Sequence, residues 1–150
     1  MDWREVSVAE WRVALPCKPS VYERRVPLAG ASLTMRLQAC QAGGATWSVA
    51  DLEVDDATRI APALLALRDA ARANLDGQVI DDRAWAPRGW TPAGDARRIV
   101  LSGRLPDGRE TRQWIAMAAV GTRVVQLVVM GAAPVADDVE MFFESARVPP

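Results

Sequence analysis

One internal stretch of this chain has the three- and four-residue spacing of a surface helix, and strand-like stretches lie on both sides of it. Ile60, Leu64, Leu67, Ala71 and Leu75 form a single apolar stripe opposite Arg59, Asp69, Arg72 and Ala73. Asp55, Asp56 and Thr58 offer caps and favourable negative charge at its start. Pro62 fits a helix only in the first turn, so the helix is expected to begin near Arg59. It is expected to end at residues 74–77, with Gly77 in the left-handed cap.

The flanking stretches read as strands. Trp11-Arg12-Val13-Ala14-Leu15 alternates with period two and stops at Pro16. Residues 21–26 form a short second candidate, and residues 32–40 alternate through Leu33, Met35, Leu37 and Ala39. Gly43-Gly44 turns the chain into a strand over residues 47–54. After the helix, strands are expected at 78–85, 95–105 and 110–120, with a Pro/Gly-marked loop at 87–94 and a hairpin turn at Pro106-Asp107-Gly108-Arg109. Gly121 leads into residues 122–130, the most β-rich run of the chain. A last helix follows Pro134, with Val135, Val139, Phe142 and Ala146 as its stripe and Asp137 and Asp138 in its first turn. Strands, helix, strands, helix, without βαβα alternation, imply an α+β domain over residues 1–150. Its expected form is a central antiparallel sheet covered by helices, an α/β/α sandwich.

Several of these features together resemble the PsbP/Mog1-like fold. They are the early strand with its proline step (Arg12-Val13-Ala14-Leu15-Pro16-Cys17-Lys18-Pro19), the glycine-containing loop and strand pair, and the long helix. The end matches too, from Gly121 through Val124-Val125-Gln126-Leu127-Val128-Val129 to Gly131 and a helix reaching Phe142-Phe143-Glu144-Ser145. More narrowly the chain is similar to uncharacterised bacterial envelope proteins described as lipoproteins. Plant relatives of that fold assist photosystem assembly and eukaryotic ones bind a small GTPase. The resemblance implies neither partner for a bacterial envelope protein.

Composition narrows the function. Across 150 residues the formal charge is −1 and arginines alternate with acids, so the basic stripe of a nucleic-acid binder is missing. Lys18 is the sole lysine among many arginines and alanines, the bias of a GC-rich bacterial genome. The longest apolar stretch, residues 114–136, is broken by Gly121-Thr122-Arg123 and falls short of the ~20 apolar residues of a spanning helix. Met1-Asp2-Trp3-Arg4-Glu5 is not a signal peptide, so export would need a signal or lipobox upstream of Met1.

Histidine is absent, which removes the usual general base and the commonest transition-metal ligand. No nucleophile elbow, Walker-type loop or dinucleotide fingerprint is present, so neither an enzyme nor a cofactor or metal is expected. The acidic run Asp51-Leu52-Glu53-Val54-Asp55-Asp56 lacks the glycine and distal glutamate of a calcium loop and reads as a polar strand face plus a helix start. Arg24-Arg25 and Arg97-Arg98 read as solvated faces or surface ion pairs.

Cys17 and Cys40 are too far apart for a C-x-x-C motif. They pair as a structural disulfide in an oxidising compartment, or remain two buried thiols in the cytoplasm. The resemblance to exported proteins favours the disulfide and a periplasmic or envelope location. Of six tryptophans, Trp85 and Trp90 flank the loop Ala86-Pro87-Arg88-Gly89, where packing demands are lower, while Trp47 and Trp114 suit strand packing. The expectation is therefore a non-enzymatic envelope domain that binds or supports a protein partner through Trp85, Arg88 and Trp90. The alternative is a small-molecule or lipid carrier with its pocket between sheet and helix.

Overall fold

The computed structural model describes residues 1–149. Two strands, β1 (Arg4–Val8) and β2 (Trp11–Leu15), form a small hairpin sheet of their own. A seven-stranded sheet follows from β3 (Ser20–Leu28), β4 (Ala31–Ala42), β5 (Ala45–Glu53), β6 (Gln78–Ala84), β7 (Arg97–Arg104), β8 (Glu110–Val120) and β9 (Arg123–Gly131). Its order is β3-β4-β5-β9-β8-β7-β6 and every pairing is antiparallel. Two helices complete the chain, α1 (Ile60–Leu75), entered through a 3-10 turn at Ala57–Arg59, and α2 (Ala136–Ser145).

The expected sandwich of helices around a sheet is corrected by these proportions: strands take 52 % of the residues and helices 19 %. Length explains it. A seven-stranded sheet is about 29 Å wide at the usual strand spacing, whereas the ten residues of α2 make a rod of about 15 Å. Helices therefore cannot form complete layers. On one face α1 packs on Leu52, Ile99, Leu101, Ile115, Met117, Ala119 and Val124. On the other, α2 shares the cover with the β1–β2 hairpin, over Trp47, Val49, Ala116, Ala118, Val125, Leu127 and Val129. Alternate residues of β5, β8 and β9 thus serve two separate cores.

Local chemistry accounts for most boundaries. Gly43 and Gly44, both at positive φ, make the two-residue turn between the paired Ala42 and Ala45. Asp56 caps the entry to α1 by accepting the Thr58 N–H at 2.8 Å. At the other end it is Asp76, not Gly77, that takes the left-handed conformation, with φ of 48°. Aspartate tolerates that region better than most residues. The glycine that the helix end does require is Gly103 on β7: an added Cβ would meet the Leu75 carbonyl oxygen at 2.6 Å.

Two further expectations change. Val135 is 62 % exposed because it sits at the N-cap of α2 in extended conformation, so the buried stripe is Val139, Phe142 and Phe143. Strand β1 lay unread in the polar Arg4-Glu5-Val6-Ser7-Val8, where Val8 alone is fully buried. The hairpin is held to α2 by the Ala14 N–H, which donates to Ser145 Oγ at 2.8 Å, and by a backbone bridge between Arg12 and Arg147.

Candidate functional site

Cys17, just past β2, and Cys40, within β4, form a disulfide with Cα atoms 5.9 Å apart. It staples the open end of the hairpin to the main sheet and closes a loop spanning 23 positions. Such a bond is compatible with an oxidising, extracytoplasmic compartment.

Trp85 and Trp90 are neighbours, with ring centroids 6.2 Å apart. Their rings point inward. Trp90 is 7 % exposed and packs edge-on to Trp11 of the hairpin at 5.3 Å. Trp85 is half-buried against Phe143 of α2 at 6.5 Å. Phe143 meets Phe142, Phe142 meets Trp47, and Trp47 meets Trp3, all between 5.5 and 5.8 Å. An unbroken aromatic chain therefore glues hairpin, loop, helix and sheet together, each contact adding about 0.5–1.5 kcal/mol beyond its buried area. Arg88 stands apart from it, exposed at the loop tip and without an ion pair among the described residues.

Several charged residues of the sheet are paired with one another or with the helices. Asp82 accepts from Arg68 of α1 and from Arg97, each at 2.8 Å, pinning the helix to the β6–β7 edge. Arg98 holds Glu140 of α2, one of its two bonds measuring 3.0 Å, and lies over the Phe143 ring. The Arg98 hydrogen bond keeps the Glu140 carboxyl below its ordinary pKa, against the desolvation of partial burial.

Asp51 is 5 % exposed, and Arg123 donates to its Oδ2 at 2.9 Å while reaching Glu10 at 3.5 Å and Glu53 at 3.6 Å. Burial pushes the Asp51 carboxyl up, and Arg123 and the Trp11 indole N–H partly oppose it. The indole faces the carboxylate from outside full hydrogen-bond geometry. The acidic run is thus dispersed between a hairpin anchor and a helix cap. Among the described residues no group of three or more His, Cys, Asp or Glu side chains is placed to hold a metal.

One of several surface hollows with room for a ligand lies on the opposite face; others, at the β4–β5 turn, beside the disulfide and around Arg36 and Arg123, are of similar or larger size. Helix α1 lies on that face and leaves a trough of about 280 Å³ along one flank. Its wall is Leu67, Ala70, Ala71 and Asn74. Its floor is Met35 and Leu37 of β4, Ser48 and Ala50 of β5, Gln126 and Val128 of β9, and Gln113 of β8. Arg24 of the edge strand β3 stands at the rim. The Gln113 Oε1 atom is buried without a hydrogen-bond partner, an arrangement that costs about 1–3 kcal/mol where nothing satisfies it. A volume near 300 Å³ is the lower end of ordinary small-molecule sites.

The sequence marks Leu67, Ala71, Met35 and Leu37 as packing residues and Arg24 as a solvated face, and none of the trough residues as a ligand contact. The available signal was strand parity: Gln113 and Gln126 share the face of Ile115, Met117, Val124 and Val128, where apolar residues prevail.

No protein-family model matches this chain, and no curated protein matches it in sequence. Among the described residues no helix is long and apolar enough to cross a membrane.

Proposed function

We propose that this chain is a binding domain of the bacterial envelope, without chemistry of its own, that holds a small, largely apolar molecule in the trough beside α1. The observation that carries this reading is a floor of Met35, Leu37, Ala50 and Val128 that the helix leaves uncovered. A ligand that covers Met35, Leu37 and Val128 would take that apolar surface out of water. The disulfide supports the envelope setting.

The test is titration of the purified chain with N-phenylnaphthylamine, a neutral apolar fluorophore. Ala70 lines the trough from an exposed position on α1, so Ala70→Trp fills the space without entering the core. Saturable binding by the native chain, lost in Ala70→Trp at unchanged melting temperature, is the expected result. Equal binding by both proteins would refute the site.

A second reading, recognition of a protein partner through the 85–90 loop, is favoured by the exposed and unpaired Arg88. Trp90 would serve it by fixing the loop and not by touching the partner, since its ring is buried. Arg88→Glu should then abolish capture of a partner from envelope extracts, and undiminished capture would exclude the loop.

A further inference from the structure

We infer that two copies of this chain join edge to edge through β3, in antiparallel register, and make one continuous sheet. The inference goes beyond the trough and does not depend on it.

Strand β3 ends the seven-stranded sheet, with β4 as its one neighbour. From Ser20 to Arg25 every residue is exposed. The turn Ala29-Gly30, with φ of 50° and 79°, closes on the pair Leu28–Ala31, and the residues that close such a turn bond each other. Alternation along the strand then turns the backbone groups of Val26, Arg24 and Tyr22 toward β4. Those of Arg25, Glu23 and Val21 face outward, unpaired. Pro27 falls in the outward set, where its missing N–H costs the sheet nothing. The opposite edge, β6, is a poorer template. A bulge between Val79 and Asp81 breaks its ladder, and Asp82 and Arg83 are tied to the helices.

Charged side chains and proline commonly guard an edge against pairing. Here the order of the charges selects the partner. A two-fold axis keeps each side chain on its own face of the joined sheet, and the symmetric register that pairs all nine residues sets Arg24 opposite its copy. Glu23 then lies opposite Arg25 of the partner subunit, and Arg25 opposite Glu23 of the partner subunit, as hydrogen-bonded pairs. Neither residue has an ion pair within its own chain among the described residues. Arg25 donates to Thr34 Oγ1 at 3.0 Å and to the Ser32 carbonyl at 2.9 Å, and keeps further donors free. Tyr22, 56 % exposed, meets the partner's Val26, an aromatic–β-branched cross-strand pair. Arg24 against the partner's Arg24, at the centre, opposes the pairing. A uniformly acidic strand would answer Arg24 and Arg25 but would set like charge against Glu23.

Sedimentation velocity of the native chain, from micromolar to millimolar concentration, should show a monomer–dimer equilibrium. Glu23→Arg and Arg25→Glu each place like charges at both ion pairs, and each should weaken dimerisation about tenfold. An equimolar mixture of the two variants should restore it, because the mixed dimer again opposes unlike charges at both pairs. Arg24→Thr should tighten the dimer by removing the central repulsion. All three positions are exposed, and melting temperatures check that the variants stay folded. A native chain that stays monomeric throughout would overturn the proposal. So would a dimer indifferent to both charge reversals, which would put the interface elsewhere, or one weakened by them but not restored in the mixture.

Discussion

Breaking the Cys17–Cys40 bond should lower stability by about 3 kcal/mol without changing the native fold. The bond closes a loop over a separation of 23 residues. In the chain-entropy model a loop of that size removes about 11–12 cal/mol/K from the unfolded ensemble, which is about 3.4 kcal/mol at 25 °C. The native hairpin keeps its other anchors: Trp11 in the core, the Ser145 hydrogen bond and the Arg12–Arg147 bridge. The loss should therefore come from the unfolded state. Urea denaturation of the native chain and of Cys17→Ala/Cys40→Ala, followed by tryptophan fluorescence, measures it. The expected midpoint shift on heating is about 6–12 °C for a chain of this size. The far-ultraviolet circular dichroism of the folded proteins should be superimposable. A difference below about 0.5 kcal/mol would refute the reasoning, because either the pair does not bond in solution or the loop is already closed in the unfolded chain.

Gly103→Ala should destabilise by about 1–3 kcal/mol, since the new methyl would meet the Leu75 carbonyl oxygen at 2.6 Å and its Cβ at 2.8 Å, both at the rigid end of α1. Denaturation midpoints test this, and a neutral substitution would mean that α1 and β7 are not so close. Asp51 and Glu140 should act oppositely with pH. The folded pKa of Asp51 is raised by burial, so its ionisation works against the fold at neutral pH and that penalty fades as pH falls through the raised value. Asp51→Asn should therefore compare more favourably with the native chain at pH 7 than at pH 4 in urea denaturation. Glu140 is lowered by Arg98, so its contribution is present above the ordinary carboxyl pKa and disappears as pH falls through the lowered one. Glu140→Gln should accordingly lose more at pH 7 than at pH 3, and the reverse order for either residue would contradict these environments.

The sequence made local structure readable where a turn residue and a clean period coincided. Trp11–Leu15 and Glu110–Val120 form strands with those very limits, and the α1 stripe of Ile60, Leu64, Leu67, Ala71 and Leu75 is buried throughout. Reading failed where partners distant in the chain decide. Strand β9 inserts between β5 and β8, and the space beside α1 exists because of that order. Nothing in the local period of Gln113 or Gln126 reveals which side of the sheet the helix leaves bare. Trp90 occupies a loop, and its ring is nonetheless buried because Trp11 of a hairpin about 80 residues upstream lies over it. The α/β/α expectation failed for a related reason, since β1 was hidden in a polar stretch and its hairpin replaces helix on one face.

The most direct test of the trough is a methyl-resolved NMR titration of the intact, oxidised chain with N-phenylnaphthylamine. The account expects shifts concentrated on the methyls of Met35, Leu37, Ala50 and Val128, with Val139 and the residues beneath α2 unchanged. Shifts confined to the α2 face or the 85–90 loop, or a spectrum that does not move, would contradict it.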